Sequence, residues 1–118
     1  MSLTVYEYPS CSTCKKAKKW LDANDVSYKA VHIVEETPSK DELSSLHQQS
    51  DLELKKFFNT SGKKYRELGV KEKMKTATVE ELLDLLASDG MLIKRPIVTD
   101  GKKVTVGFKE DMFEQTWK

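Results

Sequence analysis

Apolar and polar positions alternate at the start of the chain and stop at Pro9. Residues 3–7 have β-branched and aromatic side chains in the middle, which is typical of a short strand. Across residues 12–24 the apolar side chains recur at helical spacing and lysines fill the positions between them. Residues 26–34 form a second β-branched segment. The order strand, helix, strand predicts two parallel strands joined by a right-handed crossover.

Two capping boxes mark helices in the middle of the chain. Ser39 is followed three residues later by Glu42, and Thr78 by Glu81, and leucines on one helical face follow each pair. The stretch between the two boxes predicts shorter helical segments. We expect Gly90 to close the second capped helix.

The last third of the chain predicts a hairpin and a helix. Residues 96–99 and 104–108 are typical of strands, and the Asp100-Gly101 dipeptide between them favours a tight turn. Residues 110–117 predict a terminal helix. The chain therefore combines a βαβ segment, a helical middle and a ββα segment.

Composition and charge exclude several classes of protein. The 118 residues are enough for one domain with one core. Twenty Lys and Arg against 19 Asp and Glu leave a net charge of +1, which does not favour direct binding to nucleic acid. No unbroken apolar run exceeds three residues, so no membrane partner is expected. A secretory signal is not recognisable, and we expect a cytoplasmic protein.

The two cysteines stand three apart where the first strand turns into the first helix. Cys11 is expected at the helix N-terminus, where free backbone N–H groups and the helix dipole stabilise a thiolate. Cys14, one turn further on, can attack a mixed disulfide formed on Cys11. The spacing therefore predicts Cys11 as nucleophile and Cys14 as resolving thiol.

Two alternatives to redox chemistry stay open for this pair. A metal site would need two more ligands, and His32 and His47 have no partner motif, so no metal is predicted. Two inert cysteines are the other alternative. Further candidates for supporting an oxyanion or a thiolate are Ser12, Thr13, Lys15 and Lys94.

Arg95 and Pro96 stand directly before the predicted third strand. In redox domains that join a βαβ half to a ββα half, a cis proline at this place lies against the dithiol. Arg95 would then lie near Cys11, where its permanent charge could bind an oxyanion or a thiolate. The alternative is a surface arginine that pairs with a carboxylate.

Three segments together resemble one known family. They are the Tyr-x-x-Pro-x-Cys-x-x-Cys pattern over residues 6–14, the Lys-Arg-Pro-Ile segment at residues 94–97, and residues 106–111. The chain is similar over nearly its whole length to the arsenate reductase-like (ArsC/Spx) family. The resemblance implies an α/β, thioredoxin-like fold in a single domain over residues 1–118, with a helical insert at approximately residues 38–89 between the second and third strands.

The resemblance also implies roles for particular residues. In the glutaredoxin-coupled arsenate reductases of this family, one cysteine attacks arsenate and three arginines hold the oxyanion. Cys11 matches that cysteine and Arg95 matches one of the arginines. Asn59 and Phe108 stand at the positions of the other two, and Glu7 stands where those enzymes have a histidine. The Cys-x-x-Cys dithiol is instead the pattern of the Spx-like members.

These observations favour a cytoplasmic thiol-disulfide redox protein whose partner is a protein disulfide or a low-molecular-weight thiol. No bound cofactor is expected, and glutathione, glutaredoxin or thioredoxin would supply electrons. One alternative is an Spx-like redox-sensing regulator that binds the α subunit of RNA polymerase. The other is an arsenate reductase coupled to glutathione, glutaredoxin or thioredoxin.

Overall fold

Four strands form one mixed sheet in the order β2-β1-β3-β4. The computed structural model describes residues 2–118. The strands are β1 (Leu3–Glu7), β2 (Tyr28–His32), β3 (Ile97–Thr99) and β4 (Val104–Val106). β1 pairs in parallel with β2 and antiparallel with β3, and β4 pairs antiparallel with β3. The pairing of β1 with β3 therefore joins the predicted βαβ and ββα halves in one sheet.

Six α-helices in the described part of the chain accompany the sheet. They are α1 (Ser12–Ala23), α2 (Lys40–Ser50), α3 (Lys63–Glu67), α4 (Val70–Lys73), α5 (Val79–Ser88) and α6 (Glu110–Trp117). Two short 3₁₀ turns add Leu54–Phe57 and Gly90–Leu92. Helices α2 to α5 lie between β2 and β3 in the chain, which confirms the predicted α/β fold with a helical insertion. Within residues 2–118, the helices are too short and too polar to cross a membrane.

Both predicted capping boxes are present. The Ser39 hydroxyl accepts a hydrogen bond from the Glu42 amide at 3.2 Å, and the Glu42 carboxylate accepts one from the Ser39 amide at 3.3 Å. Thr78 and Glu81 repeat the arrangement at the start of α5, at 3.2 and 3.0 Å. Each box satisfies two backbone donors that a helix start would otherwise leave free.

The sheet separates two apolar cores, and β1 alternates between them. One core lies between the sheet and α2 to α5, and it includes Tyr6 and Ile33. The other, which we call the α1 core, lies between the sheet, α1 and α6. Its buried members are Leu3, Val5, Ala17, Trp20, Leu21, Val98, Phe113 and Trp117. Both tryptophans are buried.

The second strand is shorter than the predicted 26–34 because both ends make other hydrogen bonds. The Val26 amide donates to the Leu21 carbonyl of α1 at 2.9 Å. The Val34 amide donates to the ring Nδ1 of His32 at 3.2 Å. Side-chain and helix acceptors thus end β2 where its β-branched composition would allow it to continue.

The hairpin between β3 and β4 lies where the sequence predicts it, with both strands slightly shorter than predicted. Residues 100–103 separate the strands, and the Asp100 carboxylate accepts the amides of Lys102 and Lys103 at 2.8 and 2.7 Å. These hydrogen bonds lower the pKa of the Asp100 carboxyl. The aspartate therefore organises the turn through its side chain, as in an Asx turn.

Gly90 has a different role from the predicted helix closure. Asp89 is the C-cap of α5, and Gly90 is buried against the backbone of Ile33, just after β2. A Cβ at residue 90 would collide with the Ile33 carbonyl group and lie 2.9 Å from the Val34 Cα. This close backbone approach is what requires glycine.

We therefore predict that Gly90→Ala lowers the free energy of unfolding by about 1–3 kcal/mol, because the backbone of the neighbouring segment must shift. Gly101→Ala is the matched control, since its φ of +96° costs conformational energy but its Cβ would meet open space. It should cost only about 1 kcal/mol. Urea denaturation measures both, and a Gly90 variant no less stable than the Gly101 variant would contradict the packing explanation.

Candidate functional site

Cys11 is the N-cap of α1. Its Sγ accepts a hydrogen bond from the Cys14 amide at 3.2 Å, and its backbone is extended, with φ −80° and ψ 113°. The Cys11 amide in turn donates to the Tyr8 carbonyl at 3.0 Å, which closes the turn between β1 and α1. The side chain is half-buried. The sulfur therefore occupies the place of a capping oxygen, where a negative charge is stabilised by the helix N-terminus.

Cys14 is in a different environment one helical turn away. It is fully buried, and both cysteines are free thiols. Burial, followed by the hydrogen bond and charge of Cys11, raises the pKa of the Cys14 thiol to about 12 from its ordinary 9.0. The Tyr8 backbone and the Arg95 guanidinium act in the opposite direction. Cys14 thus stays a thiol in the reduced protein.

The segment before β3 lies beside the turn that carries the dithiol, where Arg95 contacts the Tyr8 ring. The Arg95–Pro96 peptide bond is cis, and Pro96 is buried. The Arg95 guanidinium carbon lies 5.0 Å from the centre of the Tyr8 ring, a cation–π distance, and its charge acts on Cys14. Arg95 Nη1 is buried without a hydrogen-bond partner among residues 2–118. The arginine is therefore not the surface ion pair that the sequence left as an alternative.

The other residues predicted to support an oxyanion or a thiolate lie in two parts of the structure. Ser12 and Thr13 form the first turn of α1 beside Cys11, and Lys15 follows them as an exposed side chain. Lys94 is exposed and lines a separate cleft of about 350 Å³ with Lys55, Lys56, Phe58, Thr60, Tyr65 and Met74. The structure therefore brings Ser12 and Thr13 to the dithiol and places Lys94 on another surface.

One partly buried ion pair, between Glu7 and Lys18, was not predicted as a site. Glu7 is 8% exposed, and its Oε1 lies 2.6 Å from Lys18 Nζ. The hydrogen bond to Glu7 raises the pKa of Lys18 despite the opposing effect of burial. One signal in the sequence was an acidic residue at the end of a strand whose other alternate positions, Leu3 and Val5, are apolar. Another was the place of Glu7 at the histidine position of the arsenate reductases that the chain resembles.

The two histidines have local structural roles. His32 lies 5.6 Å from the Tyr8 ring in an edge-to-face contact, and its Nδ1 accepts backbone amides. His47 packs in the same way on Phe57 at 5.9 Å. Over residues 2–118, the structure contains no group of three or more His, Cys, Asp or Glu that could hold a metal ion.

Comparison with known proteins gives one consistent result. The profile of the ArsC family matches residues 6–116. The protein YusI of Bacillus subtilis strain 168 is 62% identical over 117 residues, which is 99% of each chain. The global transcriptional regulator Spx of Listeria innocua is 31% identical over 109 residues, covering 92% of this chain and 82% of the regulator.

Solved structures agree with the sequence comparisons. An ArsC family related protein from Bacteroides fragilis has a TM-score of 0.93 and 46% identity, with 98% of this chain and 97% of that chain covered. The thioredoxin-like architecture predicted from the resemblance is therefore shown both by the element order and by the structural match.

We predict that iodoacetamide modifies Cys11 before Cys14, because Cys11 is accessible and Cys14 is a buried thiol with its pKa raised to about 12. Mass spectrometry of tryptic peptides after timed labelling at neutral pH measures the order. Cys11→Ser and Cys14→Ser give the two single-site rates. If Cys14 is labelled faster than Cys11, either in the wild type or when the two variants are compared, the assigned roles are wrong.

Proposed function

The chain belongs to the ArsC family, and we propose that it is a thiol-disulfide oxidoreductase in which Cys11 attacks and Cys14 resolves. The observation that carries this proposal is the unequal environment of the two sulfurs. Cys11 caps the helix at a half-buried position, whereas Cys14 is fully buried with its pKa raised. A reactive first thiol and a protected second thiol are what a two-step exchange requires.

The reaction follows from these positions. The Cys11 thiolate attacks one sulfur of a partner disulfide, and the other partner sulfur leaves with the electron pair of the broken bond. Cys14 then attacks Cys11, forms the Cys11–Cys14 disulfide and releases the second partner thiol. The partner gains two electrons and the protein loses two. A donor thiol, such as glutathione, glutaredoxin or thioredoxin in the cytoplasm, would return the protein to the dithiol form.

Arg95 supports the charged steps of this cycle. Its guanidinium lies over Tyr8, acts on the charge of Cys14 and keeps a buried N–H without a partner in residues 2–118. A buried donor of this kind favours a nearby anion, whether a thiolate or the oxygen of a bound substrate. We propose that Arg95 stabilises the negative sulfur that develops during exchange.

A second candidate function is redox-dependent regulation of transcription. The support is the 31% identity to a global transcriptional regulator over 92% of this chain. The partner implied by the family resemblance is the α subunit of RNA polymerase. Binding of the reduced and oxidised chains to that subunit, compared in one pull-down, tests this candidate independently of disulfide exchange.

Arsenate reduction has weaker support from the side chains. Phe108 packs edge-to-face on Phe113 at 4.7 Å, at a position where the family's arsenate reductases have an arginine. Asn59 stands at the other arginine position and is half-buried. Arg95 alone would have to hold the oxyanion, and each lost charge-assisted hydrogen bond is worth about 1.5–3 kcal/mol. Arsenate turnover with a glutaredoxin regenerating system measures this activity directly.

We predict that Cys14→Ser accumulates a stable mixed disulfide on Cys11 when it reacts with oxidised glutathione, since the resolving thiol is gone. The wild-type protein should pass through that adduct to the Cys11–Cys14 disulfide. Intact-mass spectrometry distinguishes the two products. Cys11→Ser is the control and should form no adduct. Equal adduct levels in the wild type and Cys14→Ser would contradict the resolving role.

We predict that Arg95→Ala slows the attack of Cys11 on oxidised glutathione by roughly 5- to 10-fold, because a partly screened positive charge is lost. Arg95→Lys should recover only part of the rate, since lysine lacks the planar fork. Stopped-flow measurement in a Cys14→Ser background isolates this step. Lys102→Ala removes an exposed lysine of the β3–β4 turn and is the charge control. Identical rates for Arg95→Ala and the control would disprove the role of Arg95.

A further inference from the structure

Tyr8 contacts both parts of the candidate site. Its carbonyl accepts the Cys11 amide at 3.0 Å, within the turn that carries the dithiol. Its half-buried ring contacts the Arg95 guanidinium, whose carbon lies 5.0 Å from the ring centre. The proposed exchange reaction uses the thiols and the arginine, and it gives this ring no role. The position of the ring makes Tyr8 a candidate for controlling where the arginine lies.

No carboxylate holds the Arg95 side chain in the described part of the chain. Arg95 forms no ion pair among residues 2–118, and its Nη1 is buried there without a hydrogen-bond partner. An arginine side chain has many rotamers, and an arginine without anchoring contacts spends little time in any one of them. The cation–π contact with Tyr8 is therefore the described contact that can hold the guanidinium in place.

A second ring holds Tyr8. The His32 ring lies edge-on to the Tyr8 ring, with 5.6 Å between the ring centres and 73° between the planes. The His32 ring is in turn fixed, because its Nδ1 accepts the Val34 and Glu35 amides at 3.2 and 3.0 Å. A series of contacts therefore leads from the turn after β2, through His32 and Tyr8, to Arg95.

An aromatic ring holds a cation differently from a carboxylate. A carboxylate would cancel the charge of the guanidinium that it binds. The ring attracts the guanidinium through the negative face of its π system and adds no net charge. Arg95 therefore keeps its full positive charge for an incoming anion, together with the buried Nη1 that no group of residues 2–118 occupies. Burial raises the pKa of the Cys14 thiol and the charge of Arg95 opposes that shift, so this charge acts on the dithiol.

We propose that Tyr8 positions Arg95 beside the dithiol turn without neutralising it, and that the positioned charge makes the site select disulfides that carry a carboxylate near the sulfur. This inference rests on the proposed thiol-disulfide function. The Cys11 thiolate forms a bond to one partner sulfur, and the bond between the two partner sulfurs breaks. The other partner sulfur leaves as a thiolate with that electron pair. Arg95 attracts the carboxylate of the partner before the attack, and Tyr8 acts only through Arg95.

Two small disulfides of opposite charge test the proposal in a Cys14→Ser background. Oxidised glutathione carries carboxylates, whereas cystamine carries only ammonium groups. Intact-mass spectrometry of quenched samples gives the rate of adduct formation with each, and the ratio of the glutathione rate to the cystamine rate measures charge selectivity. We expect this ratio to fall roughly 3- to 5-fold in Tyr8→Leu and to stay within about twofold of the parent in Tyr8→Phe, which keeps the ring. Tyr65→Leu removes a ring that packs on Phe58 and should leave the ratio unchanged.

The same substitution in an Arg95→Ala background separates positioning from a direct effect of the ring. Arg95→Ala should lower the ratio at least as much as Tyr8→Leu does. Adding Tyr8→Leu to Arg95→Ala should then change the ratio by less than about 1.5-fold, because Tyr8 acts through the arginine. A further fall as large as that in the parent would overturn the proposal. An unchanged ratio in either single variant would also overturn it.

His32→Asn is a second test that leaves Tyr8 and Arg95 in place, and it also serves if Tyr8→Leu does not fold. Asparagine keeps an oxygen acceptor for the two backbone amides but removes the ring that contacts Tyr8. We expect the ratio to fall roughly twofold. His47→Asn removes an edge-to-face contact of the same kind elsewhere and should have no effect. Equal ratios for the two histidine variants would contradict the proposal, whereas a parent protein that forms no adduct with either disulfide would refute the thiol-disulfide function itself.

Discussion

The structure of the site depends on one constraint, the abrupt turn from β1 into α1. The strand ends at Glu7 and the helix begins at Ser12, so only four residues reverse the chain. The Cys11 amide bonds the Tyr8 carbonyl, and the Cys11 sulfur caps the helix through the Cys14 amide. One side chain therefore completes the helix start and supplies the candidate nucleophile, because unpaired helix amides stabilise negative charge.

The difference between the two cysteines follows from the same turn. Cys14 lies on the buried face of α1 with Ala17 and Leu21, at helical spacing. Cys11 precedes the helix as its N-cap and is half-buried. Burial disfavours the charged form of Cys14 and raises its pKa, while Cys11 remains accessible. A short sequence motif thus yields two thiols with different chemistry, because helical geometry sends one of them inward.

Groups distant in the sequence complete the site through sheet pairing. β3 lies antiparallel beside β1, with Tyr6 opposite Ile97, so the residues just before β3 arrive where β1 ends. This pairing brings Arg95 to the Tyr8 ring and Pro96 into the interior. On the other side, the alternation of β1 directs Glu7 towards α1, where Lys18 meets it. Sheet pairing therefore brings Arg95 to the turn that carries the dithiol, and strand alternation brings Glu7 to Lys18.

The sequence by itself determined the element order, both capping boxes, the position of Cys11 at a helix start and the cis proline before β3. These features depend on local periodicity, on capping chemistry or on a family motif, all of which neighbouring residues express. Only the tertiary structure decided that Gly90 contacts the Ile33 backbone, that β2 ends early, and that Glu7 and Lys18 form a partly buried pair. The contacts of Gly90 and Glu7 come from elements distant in the sequence, so they form only once those elements have packed together.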